Sequence, residues 1–267
     1  MLSRSSPESA YYWQPEKHII TLDPNKKIDA VVNLNGANIG EKRWNQQRKQ
    51  LIVSSRVQST QLLCKALAEL PNPIGVFVNA SAIGFYGDTG QNVVPESGPA
   101  GDNFLAELCI DKENACNLLS DKGVRIVHLR TALVLAKHGG ALKSMLPPFY
   151  MGLGGKIGSG QQLVSWISLL DECRAIEFLL EHGDLSGPFN LASPHTVTNL
   201  EWTKTLGAVL KRPTVLPLPA WWVKVLFGEM GELLLLGSVG AYPQRLLDAG
   251  FTFNHPQLDQ ALQHVLK

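Results

Sequence analysis

A chain of 267 residues with 45% hydrophobic and 18% charged content has enough apolar surface for one large or two smaller globular domains without covalent staples. Its 24 basic and 23 acidic residues leave a formal net charge of +1, so no broad electrostatic field draws it to nucleic acid or to an anionic membrane. The four cysteines form no C-x-x-C pair and the seven histidines no H-E-x-x-H; neither a metal site nor a disulfide framework is indicated, and reduced thiols point to a cytoplasmic setting.

The opening Met-Leu-Ser-Arg-Ser-Ser-Pro lacks the apolar core of a signal peptide. Three short segments rich in β-branched residues read as buried parallel strands: Ala30 to Leu34, Gly75 to Asn79 and Arg125 to Leu129. Between the first two, Leu51, Ser55, Leu62, Leu63, Ala66 and Leu67 fall near helical spacing. Between the last two, Asp102 is the expected N-cap of a helix whose apolar stripe is Leu105, Leu108, Cys109, Ala115, Leu118 and Leu119. Strands alternating with helices imply a parallel sheet with right-handed crossovers. From Gly139 to Gly160 the composition turns glycine-rich with no long periodic element, which predicts a wandering substrate loop. A helix near Glu172 to Leu180, a strand at Phe189 to Leu191 and a capped helix from Thr198 or Asn199 to Leu210 follow. Beyond Leu216 the pattern predicts short helices around Trp221-Trp222, Leu233 to Leu236, Pro243 to Ala249 and Leu258 to Leu266. Prolines, Lys224, Glu229 and Glu232 interrupt the apolar run Val215 to Val239, so it predicts no membrane span, and the Trp221-Trp222 pair reads as ordinary core.

Ligands of open parallel sheets bind beyond the carboxyl ends of the strands. Those ends are small or polar throughout: Asn33-Leu34-Asn35-Gly36-Ala37-Asn38, Asn79-Ala80-Ser81-Ala82 and Arg130-Thr131-Ala132. Small residues also suit tight turns, but three such ends together point to a site.

The strings VVNLNGANIGEKRW (Val31 to Trp44), SAIGFYG (Ser81 to Gly87), GGALKSMLPPFYMGLGGKIGSGQQLVSW (Gly139 to Trp166) and PQRLLDAGFTF (Pro243 to Phe253) resemble the sugar-nucleotide epimerase-like branch of the extended short-chain dehydrogenases. The resemblance spans essentially the whole chain. It implies a Rossmann-like, doubly wound α/β domain over residues 1–213, including substrate loops over 139–170, and a small helical C-terminal domain of unknown function over 214–267. It also implies a G-x-x-G-x-x-G loop for the cofactor pyrophosphate, a motif this sequence lacks before Ala30; the expectation is an N-terminally truncated domain lacking roughly thirty residues, a βαβ entry.

Further implications concern the cofactor and the chemistry. Leu2 to Ser5 resembles the end of the second strand, where Ser3 and Arg4, with no acid nearby, imply NADP(H) rather than NAD. Asn35, Gly36, Asn38, Ser81, Arg130 and Thr131 are the remaining cofactor candidates. Ser81 matches the serine that polarises the substrate carbonyl, yet Leu105 and Cys109 stand in the register of the Tyr-Lys dyad, and Tyr86 is the best remaining phenol. Cys109 reads as core rather than nucleophile. Phe149, Gln161 and Trp166 are the candidate substrate-wall residues, and Ser168 stands where the family pattern has a histidine. The expected partner is a small-molecule substrate, with a homodimer left open. Two functions compete: an NADP(H)-dependent oxidoreductase or epimerase-like enzyme on a small carbonyl or sugar-like substrate, and a catalytically silent binding or scaffold protein.

Overall fold

The computed structural model describes residues 11–267, so Ser3 and Arg4 lie outside the described residues. Four parallel strands form the main sheet: β1 (Ala30–Asn33), β2 (Val76–Ala82), β3 (Arg125–Thr131) and β4 (Gly187–Leu191), paired in the order β4-β3-β2-β1. Period-two alternation sends successive side chains to opposite faces. Val76, Val78, Val127, Leu129 and Phe189 pack on one face with Leu179, whereas Phe77 and Ile126 meet Leu63, Cys64 and Leu67 on the other. Both faces are covered, which is why these strands read as continuous apolar runs. Among the described residues β1 is an edge of this sheet, and Val32 and Leu34 are exposed there. A hairpin, Tyr11–Gln14 with Ile19–Leu22, tucks Trp13 into the second of these clusters.

The helices follow the periodic segments closely. The segment after β1 is α1 (Gln46–Val53) and α2 (Ser59–Ala68), joined by a π-helical turn, Ser54–Gln58. Next comes α3 (Phe104–Asn114), whose cap corrects the expected one: Asn103, not Asp102, accepts from the backbone N–H of Leu105 at 3.0 Å and of Ala106 at 3.1 Å. Two orphan N–H groups of the first turn are thereby satisfied.

The glycine-rich segment is not a wandering loop throughout. It opens with α4 (Gly140–Tyr150), whose Leu142, Leu146 and Phe149 form one buried stripe against Trp166, Trp202 and Leu206. Pro147 and Pro148 stand only in its last turns, so burial of that stripe outweighs two lost backbone donors. Helix α5 (Leu169–Glu181) covers the first face of the sheet, and α6 (Asn199–Leu210) begins in a capping box between Thr198 and Glu201.

In the C-terminal part, α7 (Ala220–Gly231) carries Trp221 and Trp222 stacked at 4.7 Å but 59% and 43% exposed, so the core reading of that pair is corrected. Helix α8 (Leu258–Leu266) buries Leu258, Ala261 and Leu262 in the same cluster as Trp166 and Trp202. No helix among the described residues is long and apolar enough to cross a membrane.

Candidate functional site

The tips of β1, β2 and β3 open at one end of the sheet, and buried amides lock the first of them. Asn33 donates from Nδ2 to Thr60 Oγ1 and to Asn79 Oδ1, both at 2.9 Å, and Asn79 Nδ2 donates to the Lys112 carbonyl at 3.1 Å. The loop Asn35–Asn38 then rests on the π-helical turn and on α3. Asn35 Nδ2 donates to Ser59 Oγ at 2.8 Å, the Ala37 N–H to Ser55 Oγ at 3.0 Å, and Lys112 Nζ to the Asn35 carbonyl at 3.1 Å. Asn38 caps its own turn by accepting from the Gly40 N–H, and its carbonyl accepts from Arg48. Gly36 has φ +149°, a backbone region that favours glycine, and a side chain there would strike Arg56.

A second network ties the tips of β2, β3 and β4. Register places Ser81 opposite Arg130 and Arg130 opposite Asn190. Arg130 grips Glu113 with two hydrogen bonds of 2.9 Å, from Nε to Oε1 and from Nη2 to Oε2, while Ser81 Oγ donates to the same carboxylate at 2.8 Å. Arg130 Nη1 also donates to the Tyr86 hydroxyl at 3.1 Å, and its guanidinium lies 3.4 Å from the centre of the Phe85 ring. The Tyr86 hydroxyl in turn donates to Asn190 Oδ1 at 2.7 Å. Burial pushes the Tyr86 phenol above its ordinary value, although the hydrogen bonds from Arg130 and to Asn190 oppose it. The phenol is buried and fully engaged, so its position is that of a strut under Arg130. Burial works to lower Arg130, but the hydrogen bonds and charge of Glu113 hold it above the usual arginine range.

Thr131 points the other way. Its hydroxyl donates to Glu172 Oε1 at 2.9 Å across the opposite face of the sheet, and Glu172 Oε2 is buried without a partner. Thr131 therefore shares an end of the sheet with Ser81 and Asn35 but not a face. Burial pushes the Glu172 carboxyl up to about 7, with the Thr131 hydrogen bond working against the shift. The folded chain keeps a proton that the unfolded chain sheds near the ordinary value of 4.5. Stability is thus fullest below that value, falls as pH rises toward about 7, and levels off above it. A Glu172→Gln variant is expected to match the parent within about 1 kcal/mol at about pH 5 and to exceed it by about 2–3 kcal/mol at about pH 8. Urea unfolding at both pH values checks this; a constant difference rules it out.

The substrate-wall candidates separate. Trp166 is fully buried and donates from Nε1 to the His195 carbonyl at 3.0 Å, and Phe149 lies in the same core cluster. Both are packing residues, because the helix that the sequence hides in the glycine-rich run needs a partner. Gln161 is exposed, with its N–H donating to Ser159 Oγ and its carbonyl accepting from Gln91. A surface groove of about 880 Å³ lies beside α1 between Trp44, Lys49, Ser54 and Glu229, and includes none of these residues. No group of three or more metal-ligating side chains occurs among the described residues.

Comparison with known proteins rests on the same elements. A family model described as the NAD-dependent epimerase/dehydratase family matches residues 16–192, two thirds of the chain. The chain belongs to that family. A second model, a domain of unknown function called DUF1731, matches residues 218–265 of this epimerase-family chain. Epimerase family protein ML0860 of Mycobacterium leprae is 43% identical over 264 residues, covering 98% of this chain and 85% of the relative. The crystal structure of human epimerase family protein SDR39U1 (isoform 2) with NADPH superposes with a TM-score of 0.86 at 35% identity, over 90% of this chain and 82% of that one. A nucleoside-diphosphate sugar epimerase from Corynebacterium glutamicum matches at TM-score 0.78 and 30% identity, over 99% of this chain and 52% of that one.

Within this epimerase-family fold, α3 presents Leu105 and Cys109 to the turn after β2: a side chain at Gly84 would meet Leu105 Cβ at 3.3 Å and Cys109 Sγ at 4.0 Å. Burial pushes the Cys109 thiol up to about 11, which keeps it neutral. Lys112, one turn further on, is lowered to about 8 by burial and by the charge of Arg56. Sequence reasoning missed Arg56, Lys112, Glu113 and Glu172. Each sits on a helix where a charged residue reads as solvated surface, and the helix faces that hold Lys112 and Glu113 carry almost no amphipathic signal because charged residues occupy their buried side.

Proposed function

We propose that the chain binds NADP(H) across the tips of β1, β2 and β3 and exchanges hydride with a small carbonyl or sugar-like substrate. The observation that carries this reading is the strand-tip loop itself: Asn35 Oδ1 is buried there without a donor, beside a glycine and next to Ser81's network. An unsatisfied buried acceptor at the ligand end of a parallel sheet fits a hydroxyl or amide of a dinucleotide. Asn35, Gly36 and Ser81 would hold it. NADP(H), when bound, supplies or accepts the hydride. The choice of NADP over NAD is supported by the SDR39U1 relative, whose structure contains NADPH.

The chain's own residues then divide the remaining work. Ser81 Oγ rests on Glu113, and a substrate carbonyl placed over β2 competes for that proton, so the hydroxyl can polarise the carbonyl oxygen. Arg130 holds the Glu113 carboxylate in place through its two hydrogen bonds while this happens. Tyr86 and Phe85 hold Arg130 in place. The four cysteines, all without disulfides, suit a cytoplasmic protein.

Titration of NADPH into the protein, read by fluorescence transfer from its six tryptophans, is expected to give a Kd on the order of micromolar and at least tenfold weaker binding of NADH. Turnover on a carbonyl panel should fall about 10²-fold in Ser81→Ala. No binding at millimolar NADPH removes the reading. A second reading, a silent dinucleotide-binding protein, is favoured by one observation: Leu105 and Cys109 offer neither phenol nor ammonium to the turn after β2. NADPH binding with no turnover on any carbonyl would select it.

A further inference from the structure

Three cations converge on the loop Asn35–Asn38, and two of them are accounted for. Arg48 donates to the Asn38 carbonyl and pairs with Glu41 at 2.9 Å. Lys112 donates to the Asn35 carbonyl. Among the described residues, Arg56, from the middle of the π-helical turn, has no carboxylate in ion-pairing range and no hydrogen bond from its guanidinium, and its Nη1 is buried without a partner. Its Cζ stands 2.9 Å from where a side chain on Gly36 would begin, so the loop is kept bare to admit it. Burial lowers the Arg56 pKa, Cys109 opposes that shift, and the like charge of Arg48 adds to it.

A half-buried guanidinium without an acceptor is costly, and packing alone would be served better by methionine or leucine. Lys112 behind it adds a second positive charge rather than a neutralising one. Arg56, whose Nη1 lacks a partner, stands against Gly36, and the adjacent Asn35 carries an Oδ1 that also lacks one. The arrangement is that of a site whose acceptor comes from outside the protein.

We propose that Arg56, backed by Lys112, is an anion subsite beside the Asn35–Asn38 loop that takes a phosphoryl or carboxylate group of the bound ligand. The proposal rests on the reading above that ligands enter at these strand tips. The anionic group belongs either to the dinucleotide or to the substrate, and the two sources share one chemistry.

The test uses the whole chain with Arg56→Met and Arg56→Lys, melting each alone, with inorganic pyrophosphate, and with NADPH. Because methionine removes an unpaired buried charge, ligand-free Arg56→Met should melt about 3–6 °C higher than the parent. Pyrophosphate should raise the parent's Tm, do so less for Arg56→Lys, and bind Arg56→Met at least tenfold more weakly. At least tenfold weaker NADPH binding in Arg56→Met assigns the group to the cofactor, whereas unchanged NADPH binding assigns it to the substrate. A lower Tm or failure to fold in Arg56→Met shows a structural arginine and overturns the proposal, as does equal protection of parent and variant by pyrophosphate or none of either. If the parent binds no NADPH, the dinucleotide reading falls, but the Tm rise and the pyrophosphate response still decide the subsite on their own.

Discussion

Replacing Glu113 by alanine is expected to cost about 3–5 kcal/mol of folding stability, the range for removing one partner of a buried ion pair. The side chains of Arg130 and Glu113 are only 5% and 12% exposed, so the guanidinium left behind has no water to turn to. Glu113 also accepts the Ser81 hydroxyl, and Arg130 is the common partner of Tyr86, the Glu96 carbonyl and the Phe85 ring. One carboxylate thus anchors the tips of β2, β3 and β4. Urea unfolding should show the loss as a lower midpoint with an unchanged slope, and thermal melting as a fall on the order of 10 °C. Pairing Glu113→Leu with Arg130→Met should recover much of the loss, since the double change leaves no buried charge unpaired. A loss under about 1 kcal/mol for the single variant would mean that the pair is solvated and would remove it from the account of Ser81.

Trp166→Ala is expected to cost about 3–5 kcal/mol as well, by a different route. The indole is fully buried among Leu142, Phe149, Trp202 and Leu262, and its Nε1–H satisfies the His195 carbonyl. Truncation leaves a cavity lined by side chains of α4, α6 and α8, together with an orphaned carbonyl. Trp166→Phe should cost clearly less, because it keeps most of the volume and loses mainly the hydrogen bond. The contrary outcome, a stable Trp166→Ala protein with a changed affinity for substrate, would return Trp166 to the cleft wall that its place in the glycine-rich run suggested.

The parallel sheet and most helix bounds were legible because burial on both faces leaves an unbroken apolar signature, as at Val76 to Val78, and because caps such as Thr198 with Glu201 are local. Helix α4 was not, since glycines at its start and prolines at its end obey local rules that predict a loop, while the energy that folds it comes from Trp166 and Trp202, distant in sequence. The exposed Trp221-Trp222 pair misled in the opposite direction: large aromatic side chains suggest a core, but α7 buries only Val223, Met230 and Gly231.

The amino-acid order by itself determined the fold class, the strand tips that form the ligand end, and the absence of a tyrosine and lysine where α3 meets the turn after β2, because these depend on residue type and near-neighbour spacing. Only the tertiary structure decided what the charged side chains do. Whether Glu113 meets Arg130, Glu172 meets Thr131, or Arg56 finds no acceptor among the described residues depends on which helix face the sheet covers, and an electrostatic partner tens of residues away leaves no trace in local periodicity.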